Sequence, residues 1–216
     1  MTTDLDPMDE EGEEYDDFYI SASRVGAFEW CPRSHDLRYN KGAPSQGNRW
    51  GRMGKLFHER VAESLENGTV PLLPRKWLDN YLEVLDTLKI SDNIEVEHGM
   101  YGTLQGFPIF GIMDLIDHDR QIIVDWKFGK VKPFPVQAYF YHDILIQNLE
   151  TPYQVYYAFL KHGVLRTIRP EELRVGETMF AKYLAAVTED QEELPTFKPC
   201  RKCNMCGFKL PCVMEL

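Results

Sequence analysis

The stretch Gly111 to Lys130, GIMDLIDHDRQIIVDWKFGK, does most to narrow what this chain can become. Gln121 to Lys127 is rich in branched apolar side chains, and the polar cluster His118-Asp119-Arg120 before it supplies a turn. The pattern predicts two adjacent antiparallel strands and therefore a sheet. Residues two apart on a strand project from one face, so Asp125 and Lys127 point together and Trp126 points the other way. With Asp114, near the end of the preceding strand, lying across from them, two carboxylates converge beside one ammonium. Such a set suits a hard divalent cation. A surface salt bridge is the commoner origin of an isolated Asp-x-Lys pair, so the hairpin alone leaves both readings open.

The flanking segments read as a mixture of helices and strands. Ser residues able to cap a helix open SASRVGAFEW, and Cys31-Pro32 marks a break after it. Trp50 to Glu66 has helical spacing, with Leu56, Phe57, Val61 and Leu65 along one side and Gly54 one turn before His58. That glycine would let a metal or a DNA strand approach the imidazole, although a lone histidine is more often structural. A further helix follows over about Arg75 to Lys89. Strands are expected over Ile94 to Tyr101 and Phe107 to Ile116, with Gly102 and Gly106 in the turn between them. Glu95 and Glu97 would share a strand face, either near the site or, more simply, a solvated one. Val136 to Asn148 reads as a helix placing Gln137 and Tyr141 one turn apart on one face. Thr151 to Leu160 and Gly163 to Ile168 form a hairpin, Pro170 to Thr188 a last helix, and Gln191-Glu192-Glu193 a solvated connection. The order is α, β-meander, α, β, α, with no P-loop and no repeat.

Charge is distributed unevenly. Net charge is -10, but residues 1 to 17 hold nine Asp or Glu and no Lys or Arg, so the remainder is nearly neutral. The expected division is an acidic disordered tail over residues 1–19 and a single domain over 20–216: a helical part at 20–92, the sheet with its helix at 93–169, and a helix with a cysteine-rich segment at 170–216. Between Arg24 and Arg60, eight Arg or Lys face three Asp or Glu and are interleaved with Phe28, Trp30, Tyr39, Trp50 and Phe57. This is either a nucleic-acid surface, with Arg24, Arg52 and Lys55 as candidate contacts, or aromatic core with a basic coat. The absence of a long apolar run or signal peptide suggests a cytoplasmic protein without membrane contact. Four of the five cysteines, Cys200, Cys203, Cys206 and Cys212, fall within thirteen residues, and Cys31 stands apart. The clustering favours a metal over disulfides. Spacing alone puts four-thiolate zinc slightly ahead of a 4Fe-4S cluster using three of these and Cys31.

Taken together, Cys31-Pro32, Gly54-x3-His58, Asp114, Asp125-x-Lys127, Gln137-x3-Tyr141 and Cys203-x2-Cys206-x5-Cys212 resemble the RecB-type PD-(D/E)XK nucleases. The likeness is to their iron-sulfur branch: CRISPR-associated RecB-like exonucleases, the AddB nuclease domain and stand-alone phage forms. It implies an α/β (α+β) restriction-endonuclease-like core, with a central mixed sheet flanked by helices. It further implies a metal-dependent DNA exonuclease of single strands or ends, in recombination, repair or phage DNA processing, within a host cytoplasm if phage-encoded. Asp114, Asp125, His58 and the Trp126 carbonyl would hold Mg2+ or Mn2+, and Lys127 would act on the attacking water. Gln137 and Tyr141 would line the DNA path. Cys31, Cys203, Cys206 and Cys212 would hold a 4Fe-4S cluster joining the two ends of the domain, with Cys200 outside the pattern. Any unwinding would come from a helicase or recombination partner. The non-catalytic alternative is a DNA-end binding iron-sulfur or zinc module.

Overall fold

The computed structural model describes residues 19–45, 49–149, 151–188, 203, 204, 206–209 and 212, with backbone alone at 49 and 50. The acidic tail through residue 18, the Gln191-Glu192-Glu193 run and Cys200 lie outside them. The chain begins with strand β1 (Ile20–Ser21) and helices α1 (Ala22–Trp30) and α2 (Pro32–Tyr39). Ser21 caps α1 by accepting the Arg24 amide at 3.2 Å. Cys31 then closes α1 and opens α2, with Pro32 in the first turn, where a missing N–H costs nothing. Helices α3 (Arg49–Asn67) and α4 (Arg75–Leu88) follow, α4 ending on a left-handed Lys89.

The sheet contains β1, β2 (Ile94–Leu104), β3 (Phe107–Asp117), β4 (Ile122–Trp126), β5 (Gln154–Phe159) and β6 (Val164–Thr167). Antiparallel β2 runs along all of β3, whereas β1 and β4 pair with opposite ends of β3, β1 in parallel and β4 antiparallel. Helix α5 (Pro135–Asn148) crosses from β4 to its parallel neighbour β5, antiparallel β6 completes the sheet, and α6 (Pro170–Thr188) packs on α5. The result is a mixed sheet flanked by helices, as the resemblance implied.

Two apolar layers fix which helix covers which face. Ile20, Met100, Ile109, Met113, Ile116, Ile123 and Val155 join Val25 of α1, Phe140 and Ile144 of α5, and Phe180 and Tyr183 of α6. On the other face, Leu115, Val124, Trp126 and Ala158 join Phe57 and Val61 of α3 and Tyr81 and Val84 of α4. Leu56 departs from the expected stripe. It is exposed, because Phe57, Val61 and Leu65 at four-residue steps already fill the inward face.

The β2–β3 connection also differs from expectation. Leu104 pairs with Phe107, and the turn is Gln105-Gly106, both at positive φ (52° and 83°), as a two-residue hairpin matched to strand twist requires. Gly102 lies within β2 opposite Ile109. A side chain there would press on Gln147 of α5, whose amide bonds the Thr103 N–H and C=O at 2.8 and 2.7 Å.

Gly176 lets α6 approach α5. A Cβ at this position would strike the Pro135 carbonyl and come within 2.7 Å of Tyr139 Cβ. In an open helix, alanine would gain about 1 kcal/mol over glycine, whereas overpacking costs about 1 to 3 kcal/mol. Gly176→Ala is therefore expected to lower the urea midpoint without changing the slope. A raised midpoint would show that the α5–α6 contact has slack.

Candidate active site

One row of residues crosses the sheet. The β3–β4 register pairs Leu115 with Val124, and one further step sets Asp114 opposite Asp125. The β2–β3 register likewise sets Glu97 opposite Asp114, between the pairs Val96–Leu115 and His98–Met113. On the far side, Asp125 pairs with Tyr157, and Tyr157 with Arg166. Three carboxylates thus occupy neighbouring positions on three strands.

The ribbon turns at this row. Ile109 and Met113 face α5, yet Leu115, two residues after Met113, faces α3 and α4. Glu97 is left-handed at φ 50°, a conformation that a residue with a side chain adopts only when its surroundings impose it. The Trp126 N–H donates to Asp114 Oδ2 at 2.7 Å, while the Trp126 ring packs against Tyr81 on the opposite face. The turn brings Asp114 within reach of α3. His58 Nδ1 lies 3.3 Å from Asp114 Oδ2. Among the described residues, His58, Glu97 and Asp114 are the one trio of His, Cys, Asp or Glu whose ligand atoms all lie within 4.8 Å of one another. Gly54, one turn before His58, faces open space.

Asp125 is adjacent and fully packed. Its Oδ1 contacts Lys127 Nζ at 2.5 Å, and Oδ2 accepts from Gln137 Nε2 at 2.5 Å and the Tyr141 hydroxyl at 2.8 Å. Lys127 also donates to Gln137 Oε1 at 2.6 Å and lies over the rings of Phe134 and Tyr157 at 4.3 and 5.2 Å. Helix α5 supplies Gln137 and Tyr141 from successive turns. Both side chains turn to Asp125. Tyr141 is only 2% exposed, its hydroxyl also reaching the Ile112 carbonyl, and both residues hold Asp125.

Electrostatics follow from the crowding. Burial pushes the Asp125 carboxyl up, against the opposing pull of Lys127, and Asp114 adds to the rise. Burial pulls the His58 imidazole down, but the Asp114 hydrogen bond and the charges of Asp114, Asp125 and Glu97 outweigh it and leave the imidazole raised. Glu97 has an open outer edge, yet desolvation and the charges of Asp114 and Asp125 lift it from 4.5 to about 7. Of the two places open to Glu97, near the site or on a solvated face, the structure joins both: it is exposed and belongs to the trio. Glu95 instead bonds His118 at 2.9 Å and His98 at 2.5 Å.

The other candidate residues divide. Arg24 points inward, donating to the Tyr19 carbonyl at 3.4 Å and lying 5.0 Å from the Tyr39 ring centre. Phe28 and Phe57 are packed in the apolar layers, so the core reading holds for those aromatics. Arg52 and Lys55 are exposed on α3, Lys55 3.8 Å from Glu59. Near the α1–α2 junction, burial raises the Cys206 thiol, and the charges of Cys31, Cys203 and Cys212 act in the same direction. Arg33, 7% exposed, donates to Cys212 Sγ at 3.2 Å.

No protein-family profile and no curated protein matches the sequence. The fold is shared with the crystal structure of a candidate exonuclease from Eubacterium rectale, at a TM-score of 0.58 and 13% identity, covering 92% of this chain and 93% of that one. The crystal structure of SSO0001 aligns at a TM-score of 0.42 and 14% identity, over 98% of this chain and 91% of that one. Among the described residues, no helix is long and apolar enough to cross a membrane.

A raised carboxyl keeps its proton longer in the folded chain than in the unfolded one, so folding stability falls as pH rises from 4.5 to about 7 through Glu97. His58, also raised, adds stability below the ordinary imidazole range that is lost as pH climbs through its folded value. Urea midpoints measured in EDTA are expected to decline across this window, and Glu97→Gln to flatten the decline. An identical slope in the variant would remove Glu97 from the cluster.

Proposed function

We propose that the chain is a Mg2+- or Mn2+-dependent deoxyribonuclease, an exonuclease acting on single strands or DNA ends. The observation that carries this reading is the row of Glu97, Asp114 and Asp125, with His58 within reach of Asp114 and Lys127 in contact with Asp125. Oxygen donors with one imidazole suit either ion. His58, Glu97 and Asp114 would hold it, joined by Asp125 and the Trp126 carbonyl. Such an ion would neutralise phosphate charge and make a bound water acidic. The candidate exonuclease that shares the fold points the same way.

The remaining work falls to the chain itself. Lys127 is walled by Phe134 and Tyr157 and is mostly hidden from water, so its charge acts through a weaker dielectric on any nearby phosphate. Its ammonium would orient the attacking water and stabilise the extra negative charge of the five-coordinate phosphorus. Gln137 and Tyr141 fix the Asp125 carboxylate so that it needs no reorganisation during reaction. Cys31, Cys203, Cys206 and Cys212 would hold a 4Fe-4S cluster. The charges of Cys31, Cys203 and Cys212 reach Cys206, and the Arg33 guanidinium donates to Cys212 Sγ, which supports a gathering of the four sulfurs. One observation favours a second reading, a DNA-end binding module without catalysis: both Asp125 oxygens are already engaged by protein groups.

Digestion of end-labelled single- and double-stranded DNA and of circular DNA, with Mn2+ and with EDTA, separates the two readings. The nuclease is expected to cut only with the ion, and binding without cutting would establish the module. Lys127→Ala is expected to retain DNA affinity and lose at least ~10²-fold in cleavage, the scale of one electrostatic stabiliser. Cys31→Ala should bleach the brown colour and lower the melting temperature, whereas an unchanged absorbance near 400 nm would refute its ligation.

A further inference from the structure

The sequence carries a net charge of -10, so a surface where three cations gather around one buried carboxylate calls for a reason. A cleft of about 660 Å³ opens between the β4–α5 loop and strands β5 and β6. Its walls include Val131, Lys132, Tyr156, Leu165, Arg166 and Arg169, and no carboxylate lines it. Glu172, buried at 3% exposure, lies behind the wall. It holds Arg166 at 2.6 Å and the Phe134 amide at 3.0 Å, which fixes the loop in place. Arg169 Nε lies 3.5 Å from the same carboxylate and is 61% exposed. Lys132 is exposed with no ion pair among the described residues, and its backbone carbonyl accepts from Arg166 at 2.8 Å.

The cleft continues from the candidate site. Lys127 and Lys132 set their ammonium groups 4.3 and 5.1 Å from the centre of the same Phe134 ring. Arg166, a cleft residue, pairs in register with Tyr157, which pairs with Asp125. A strand whose phosphate sat at Lys127 would meet Lys132 around the Phe134 ring, with Arg169 beside Arg166 on the Glu172 carboxylate. The partly exposed Tyr156 ring, with Val131 and Leu165, offers a surface on which a base can stack. Cations that follow a backbone, together with an aromatic face for bases, are the requirements for holding a single strand without reading its sequence.

We infer that the cleft lined by Lys132, Arg169 and Tyr156 binds single-stranded DNA next to the site, Lys132 and Arg169 on phosphates and Tyr156 against a base. The inference rests on the nuclease reading for its substrate and is tested separately from it. Binding of fluorescein-labelled oligothymidylate to the full chain is followed by anisotropy over a NaCl series, with EDTA present to prevent cleavage. Lys132→Gln/Arg169→Gln is expected to weaken binding at least ~10-fold and to flatten the log-affinity against log-salt slope by about 1.4, the share of two phosphate contacts. Tyr156→Ala is expected to weaken binding about 5-fold or more with an unchanged slope, the signature of a lost stack. Arg75→Gln/Lys76→Gln on α4 removes the same charge elsewhere and is expected to bind as the unaltered chain does. Melting curves verify that each variant is folded. Unaltered affinity in both cleft variants, losses equal to those of the α4 control, or no oligonucleotide binding by the unaltered chain would each overturn the inference. The nuclease reading fails by a different result: no Mn2+-dependent hydrolysis of thymidine 5′-(p-nitrophenyl phosphate) or labelled oligonucleotide by the unaltered chain.

Discussion

The contact between the Asp114 carboxylate and the Trp126 amide governs the rest of the site. The β3–β4 ladder is paired through Leu115 and Val124, and at the next position a side chain takes the amide in place of a backbone carbonyl. A charge-assisted hydrogen bond of this kind contributes about 1.5 to 3 kcal/mol, and its loss would leave a buried amide unpaired. The substitution lets the strand leave the flat ladder where the carboxylates gather. It also commits one oxygen: the Trp126 amide and the His58 imidazole both meet Oδ2, so neither contact falls on Oδ1. Structure and chemistry thus divide one carboxylate between them.

Helix α5 performs the matching task from above. Its first turns carry Gln137 and Tyr141 to Asp125, and its last turns carry Gln147 and Asn148 to the backbone of β2. One rigid element therefore spans the site strand and the outer hairpin. A shift of the helix would be felt at Asp125 and at the β2 edge together. Close packing of α6 on α5 through Gly176 limits that shift.

Much of this arrangement was legible from residue order. Alternation and branched apolar residues placed β4 within a residue at either end, and two-residue spacing put Asp125 and Lys127 on one side of it. Capping at Ser21 and the Cys31-Pro32 break gave α1 and α2. What escaped was a matter of register. Taking Gly102 as a turn residue hid the fact that a tight turn at Gln105-Gly106 counts Glu97 directly opposite Asp114. The left-handed backbone at Glu97 escaped as well, since strand alternation assumes a regular pleat. Gln137 and Tyr141 were found by spacing, but their inward direction was not, because a helix covering a buried carboxylate and a helix lining a groove share the same periodicity. The cation cleft was hidden for another reason: Lys132, Tyr156 and Arg169 come from three separate segments that only the folded sheet brings together.

The meeting of Arg33 with Cys212 gives the molecule a timetable. The two residues are 179 positions apart, which at ~5 to 20 residues per second is roughly 10 to 40 s of synthesis. Throughout that interval α1 and α2 have been made without the residue that later meets Arg33. The sheet and its acidic row are also synthesised before Cys212. A chain built in this order completes its acidic row first and brings Arg33 and Cys212 together last.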